Sequence, residues 1–204
     1  MEISSRSYRL TFTERILGTC PGPELYEKYI VAKAPNPEDE QIREELETVP
    51  EEENGGTMVT RFHRDTEGIY LIDYQVKGFL KESANLLKDR LPNAKNSKTP
   101  GIKNLRSKLD NYLFVFPRYI WLAEAPDGEF VRPLRAQTAQ GPRVALAYSE
   151  YVEPGRSIVV RLDLFPGTEI GWEAVEQILD YGRYKGIGQF RNGSYGRFTW
   201  EKVA

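Results

Sequence analysis

Eighteen residues near the end of the chain, Tyr181 to Phe198 (YGRYKGIGQFRNGSYGRF), gather the side chains that recognise a polyanion carrying flat bases. They hold five glycines (Gly182, Gly186, Gly188, Gly193, Gly196) and five aromatics (Tyr181, Tyr184, Phe190, Tyr195, Phe198). Four basic residues (Arg183, Lys185, Arg191, Arg197) accompany them, with no acid. Glycine lets a backbone approach a bulky ligand and reach positive φ, and the exposed amides of such a loop form anion-binding concavities. Rings and guanidinium planes stack on bases, and the cations suit phosphates. The competing reading of this composition is a mobile surface loop, or a Gly-rich turn between a helix and a last strand.

Charge is segregated along the rest of the chain, beneath a formal net charge of −2. Between Pro35 and Glu53, nine acids (Glu38, Asp39, Glu40, Glu44, Glu45, Glu47, Glu51, Glu52, Glu53) face Arg43 alone. Between Gln75 and Arg118, ten bases (Lys77, Lys81, Lys88, Arg90, Lys95, Lys98, Lys103, Arg106, Lys108, Arg118) face Glu82, Asp89 and Asp110. A basic surface is the electrostatic footprint of a polyanion partner. The acidic run reads either as a solvated segment or as a piece that docks on a basic neighbour in an assembly. A further stretch, RPLRAQTAQGPR, sets Arg132, Arg135 and Arg143 around Gln137, Thr138 and Gln140. It reads as a phosphate- and base-contacting groove or as a connecting loop with hydrogen-bonded glutamines.

The elements that must position these residues follow from periodicity. At 204 residues, 40% apolar and 12% aromatic, the chain reads as one globular domain spanning 1–204. An acidic insertion at 35–56 and a basic loop insertion at 92–108 interrupt it. Tyr8, Leu10 and Phe12 alternate with Arg9, Thr11 and Thr13, so Ser7–Gly18 reads as a half-buried first strand. Glu24–Ala34 is a short helix by its Leu25, Tyr29, Ala32 stripe. Met58–Arg64 and Gly68–Asp73 form a hairpin, or two short strands, around Asp65–Gly68. Gln75–Leu91 is a helix that stops before Pro92, and Asn93–Lys108 reads as a long basic loop, either a thumb over nucleic acid or a solvated linker. Strands follow at Leu113–Phe116, Tyr119–Ala123, Glu129–Arg135, Val144–Glu150 and Ser157–Phe165. Gly171–Tyr181 is a helix, and Arg197–Val203 a last strand. The fold class is α+β, a mostly antiparallel sheet with helices on one face. The first residues lack an apolar core of signal-peptide length, and no 18-residue apolar run occurs. With Cys20 as its one cysteine, excluding an internal disulfide, the expectation is a soluble cytoplasmic protein with no membrane partner.

Three segments, in order, resemble the repeat-associated (RAMP) superfamily, the backbone-subunit branch of CRISPR effector complexes. Tyr74–Leu87 (YQVKGFLKESANLL) resembles the family's helix start G-S-S-L-K-G-x-L-R. Lys77-Gly78 matches its Lys-Gly and Phe79-Leu80-Lys81 the following turn, while Asp73-Tyr74 replaces the leading Gly-Ser. Tyr151–Phe165 (YVEPGRSIVVRLDLF) resembles the turn and strand V-P-x-G-T-x-F-x-F-x-I. Ile187–Phe198 resembles the signature loop G-G-x-x-S-R-G-x-G-R-F, with Gly188, Arg191, Gly193, Ser194, Gly196, Arg197 and Phe198 in spacing. The resemblance covers residues 70–90 and 145–203. In size and organisation the chain is also similar to proteins of bacteriophages and prophages, which would place it in a bacterial cytoplasm, including a phage-infected one.

The resemblance implies a modified RRM/ferredoxin-like core whose subunits stack along single-stranded RNA. The Lys-Gly helix start, the Gly-rich loop and an inserted thumb touch the RNA backbone. The residues support this locally, since Gln75, Val76 and Lys77 lie at a helix N-terminus that favours phosphate, and Lys77 and Lys81 share a face. The candidate nucleic-acid contacts are therefore Lys77, Lys81, Arg135, Arg143, Lys185, Gln189, Phe190, Arg191, Tyr195 and Arg197. Gly78, Gly186, Gly188, Gly193 and Gly196 are candidates to let phosphate reach the backbone. Phe198 is assigned to the core. The partners implied are single-stranded RNA or DNA, other copies of the chain, and related subunits. No catalytic residue, metal or organic cofactor is implied.

Two other function classes stay open. One is an inhibitor that imitates a CRISPR effector subunit and fills a basic channel with its acidic segment. The other is a metal-independent endoribonuclease, for which a related branch uses a histidine base or an acid after the first strand. Here those would be His63, the only histidine, and Glu24, both read more simply as structural. Substituting Lys77 and Arg191 together is expected to weaken binding and leave the thermal midpoint near that of the wild type.

Overall fold

The structure is a computed structural model that describes residues 2–20, 59–95, 101–138 and 141–203, with 59, 133–138 and 141–146 described by backbone alone. The helix expected over Glu24–Ala34, the acidic run and Glu24 itself lie outside these residues. The strands are β1 (Ser4–Phe12), β2 (Ile16–Leu17), β3 (Val59–Thr60), β4 (His63–Arg64), β5 (Ile69–Ile72), β6 (Leu113–Phe116) and β7 (Tyr119–Ala123). They continue with β8 (Gly128–Thr138), β9 (Gly141–Val152), β10 (Ser157–Leu164) and β11 (Phe198–Lys202). The helices are α1 (Asp73–Leu87), α2 (Leu105–Tyr112), α3 (Trp172–Asp180) and α4 (Gly182–Lys185), with a 3₁₀ turn at Arg191–Gly193. Among the described residues, no helix is long and apolar enough to cross a membrane.

Two compact units result. The first comprises Met1–Ile16, Leu71–Leu122 and Glu153–Ala204; the second comprises Leu17–Tyr70 and Ala123–Val152. In the first unit, the sheet runs β11-β1-β10-β6, and every pairing in it is antiparallel. Taken with α1 and α3, the order β1-α1-β6-β10-α3-β11 is a split βαβ repeat. Its last strand lies beside the first, and its third lies between the first and second. This is the ferredoxin-like arrangement. The second unit is built from two excursions out of that repeat, one after β1 and one between β6 and β10.

Alternation fixes the register of the ferredoxin-like sheet. Tyr8, Leu10 and Phe12 are all buried, together with Ile158, Val160 and Leu162 of β10. A slip of one residue would turn this whole set to water. The helices cover that face. Phe79 of α1 meets Phe198 of β11 at 5.1 Å between centroids, and Phe12 meets Phe198 at 6.4 Å. From α3, Glu176 accepts hydrogen bonds from Tyr8 Oη at 3.0 Å and Arg6 at 2.7 Å. The opposite face is polar at Arg9, which pairs with Glu201 at 2.6 Å. Phe198 is fully buried, in keeping with its assignment to the core.

The helix α1 starts directly from β5. Gln75 Oε1 accepts from the Ile72 amide at 3.2 Å, satisfying one of the donors that a helix start leaves free. The segment expected to be a loop as far as Lys108 instead turns helical at Leu105. Leu105 and Leu109, four apart, supply a one-stripe apolar face, and both are buried.

In the second unit, β8 and β9 form a long antiparallel ladder, and β3 joins β9 in parallel. The hairpin expected around Asp65–Gly68 is present, with His63 opposite Tyr70. Asp65 Oδ1 caps its turn, accepting from the amides of Glu67 (2.8 Å) and Gly68 (3.1 Å).

Candidate nucleic-acid interface

The C-terminal loop, between α4 and β11, is held by backbone hydrogen bonds. The Ile187 amide donates to Gly196 O at 2.9 Å, the Gly196 amide to Arg15 O at 2.7 Å, and the Thr13 amide to Arg197 O at 2.8 Å. The loop's second arm is thereby sewn to the segment just after β1, and its first arm to the second. Glycine is compulsory at two crossings. Gly186 (φ +73°) and Gly196 (φ +68°) pass against each other, and a Cβ at Gly196 would collide with the Ile187 carbonyl.

Between these crossings the chain adopts positive φ at two residues that resist it, Phe190 (+53°) and Ser194 (+74°). For a bulky side chain this conformation costs about 1–3 kcal/mol, a strain that concentrates at functional sites. The strained residue holds a ring at the surface. Phe190 is 41% exposed, lies over Gly193, and is 5.8 Å from the Tyr195 ring at a 35° tilt. The two rings form a platform, with Gln189 and Gly188 (φ +92°) leading into it.

The loop's cations meet α1 through an acid that sequence reasoning passed over. Glu82 binds Lys185 at 2.7 Å and Arg191 at 2.5 Å. Partial burial alone would raise the Glu82 carboxyl, but hydrogen bonds and charge from Lys185 and Arg191 outweigh it and hold it below the ordinary carboxylate value. The signal for this contact lay in spacing. Gly78, Lys81, Glu82 and Asn85 fall at i, i+3, i+4 and i+7, one helical stripe.

The basic residues named as candidate contacts divide into groups. Lys185 and Arg191 meet α1 at Glu82. Lys77 and Lys81 do share a side of α1, but it faces α2. Lys81 pairs with Asp110 at 2.7 Å, and Lys77 donates to Leu109 O at 2.6 Å and also to Leu113 O. Burial pushes the Lys77 ammonium down to about 8, with Asp110 opposing and Lys81 adding to the shift. Arg197 donates from Nε to Tyr184 O at 3.2 Å, within the loop. Arg135 and Arg143 belong to the β8–β9 ladder of the second unit, where Arg143 stands opposite Ala136 and Arg135 opposite Val144.

Lys77 therefore ties α1 to α2 and β6, and the thermal neutrality expected for its substitution is corrected. Removing the donor from buried carbonyls costs about 1–3 kcal/mol. Lys77→Ala will lower the thermal midpoint by several degrees in a melting scan, alone or combined with Arg191→Ala.

Gly78 behaves in the opposite way. It lies exposed in mid-helix, and a Cβ built on it meets nothing within 4 Å. Helical glycine costs about 1 kcal/mol relative to alanine, and among the described residues nothing requires it. Gly78→Ala is expected to stabilise the protein by about 0.5–1 kcal/mol in denaturant unfolding while weakening any ligand that approaches the helix closely there.

His63 is 4% exposed and lies 6.1 Å from the Tyr70 ring, stacked at 20°. Burial pushes its pKa down to about 4. An unfolded histidine titrates near 6.5, so between about pH 6.5 and 4 the unfolded chain binds the extra proton. The stability from burying the neutral ring is complete above that window and is lost as the pH falls through it, by on the order of 3 kcal/mol. Urea unfolding at pH 7 and pH 4.5 is expected to show a smaller acid-induced loss in His63→Phe than in the wild type.

No family model matches the chain, and no curated protein does. Among solved structures, the chain is similar to a chain of a Type IV-B CRISPR complex, at 10% identity and a TM-score of 0.48, covering 98% of this chain and 91% of that one. It is also similar to Cmr6 from Pyrococcus furiosus, at 10% identity and a TM-score of 0.49, covering 98% of this chain and 99% of that one.

Proposed function

We propose that this protein is a RAMP-like backbone subunit that binds single-stranded nucleic acid, with RNA preferred, and that assembles along the strand with its own copies or with related subunits. The observation that carries the reading is the C-terminal loop. A strained phenylalanine presents a ring beside Tyr195, and Lys185 and Arg191 sit next to it at the edge of α1. A two-ring platform flanked by cations suits bases and phosphates together. The ferredoxin-like strand order and the three ordered sequence motifs agree with the reading. Gly78, Gly186, Gly188, Gly193 and Gly196 contribute close backbone approach, and Gln189 a neutral donor and acceptor. Arg197 braces the loop, and Lys77 and Lys81 set α1 in place; Arg135 and Arg143, on the β8–β9 ladder, stay candidate contacts of the second unit by itself.

The test is the protein as purified from its expression host. The reading predicts co-purifying nucleic acid, seen as an ultraviolet absorbance ratio typical of polynucleotide, and a multimer by light scattering that shrinks on ribonuclease treatment. A clean protein whose mass is unmoved by ribonuclease and by added RNA would contradict it.

A further inference from the structure

A groove runs along the exposed stripe of α1 and past the first turn of α2. One end is a cavity of about 360 Å³ lined by Gly78, Lys81, Glu82, Asn85 and Arg106. It continues into a larger cavity of about 1110 Å³, where Asn85 and Arg106 recur beside Lys88 and Lys103. The acids along this path are largely spent within the protein. Asp110 is paired with Lys81 at 2.7 Å and Glu169 with Lys108 at 2.8 Å. Among the described residues, Lys88, Lys103 and Arg106 enter no ion pair, and all three are exposed. Three unspent cations against Asp89 leave the groove positive over a continuous path, the complement of a regularly spaced polyanion.

Resting on the nucleic-acid reading above, we propose that this groove carries the sugar–phosphate backbone of the bound strand, with Arg106 contacting phosphate where the two cavities meet. Gly78 marks the place where the backbone lies against the helix, since among the described residues nothing lies within 4 Å of a Cβ built there. The strand passes from the Phe190–Tyr195 platform across Glu82 and on toward Lys88 and Lys103. Glu82 stands at the junction, so phosphate takes over Lys185 and Arg191 from the carboxylate as the strand enters.

The test is fluorescence anisotropy with a labelled uridine oligonucleotide and the triple variant Lys88→Ala/Lys103→Ala/Arg106→Ala, alongside Lys202→Ala as a control for net charge. The triple variant is expected to bind at least about tenfold more weakly, with a log-affinity against log-salt slope shallower by about 2, from roughly 0.7 per phosphate contact on a single strand. Its thermal midpoint should match that of the wild type, because among the described residues the three side chains enter no ion pair that would be lost. Wild-type affinity and slope in the triple variant, with Lys185→Ala/Arg191→Ala still weakening binding, would overturn the groove and leave the loop reading standing. Loss of self-association with RNA affinity intact would reassign the groove to a protein partner and overturn the proposal. Failure of the wild type to bind would overturn both.

Discussion

Gly196→Ala will lower the thermal midpoint by roughly 6–12 °C, from a loss of about 3 kcal/mol and the scaling of about 2–4 °C per kcal/mol for a chain of this size. Two terms add. The φ of +68° is one an alanine adopts only with strain. The new methyl would also overlap the Ile187 carbonyl, whose own residue donates back to Gly196 O at 2.9 Å. Relief requires opening that crossing, and with it the Gly196 to Arg15 bond at 2.7 Å that anchors the loop to the segment just after β1. The variant should therefore lose the platform as well as stability, because Phe190 holds its strained conformation only while both arms are fixed. Differential scanning calorimetry measures the first effect. Anisotropy of a labelled single-stranded oligonucleotide, which rises with the wild type and stays flat with the variant, measures the second. A midpoint within about a degree of wild type would show that the crossing yields freely.

Lys185→Ala/Arg191→Ala will weaken binding to single-stranded RNA by about 100-fold at moderate salt. A charge-assisted hydrogen bond contributes about 1.5–3 kcal/mol, and the two cations lie on one acid at 2.7 and 2.5 Å. Removing both also leaves Glu82 uncompensated at the edge of α1, where it repels phosphate. Glu82→Gln acts in the reverse sense. It releases both cations from their internal counter-ion and is expected to raise affinity several-fold, with a steeper salt dependence. Partly exposed ion pairs contribute little to stability, so neither variant should move the thermal midpoint by more than a few degrees. Equal affinity in all three proteins would place the strand elsewhere.

Much of the fold was legible in the sequence wherever a periodicity meets one buried face. The alternation of Tyr8, Leu10 and Phe12 set β1, and Val175, Ile178 and Leu179 set α3. Leu105–Tyr112 escaped because only Leu105 and Leu109 are buried in a polar, basic stretch that also reads as linker. The loop was legible in composition and not in mechanics. No local pattern in Ile187–Arg197 announces the bonds to Thr13 and Arg15, which come from the far end of the sequence. The roles of the lysines failed to show for the same reason. Lys77 and Lys81 look alike as members of one helical face, yet the fold sets α2 against that face and turns one toward backbone carbonyls and the other toward Asp110. Glu82, the acid that joins loop to helix, is an ordinary residue until the loop is folded onto it.

The most direct test of the central claim is a salt titration of wild-type protein and Lys185→Ala/Arg191→Ala against one single-stranded RNA. The account predicts that wild-type affinity falls linearly in log–log form between 50 and 200 mM salt, about 0.7 in slope per phosphate neutralised. The variant's line should be lower and shallower by more than 1. Binding indifferent to salt, or two parallel lines, would contradict it.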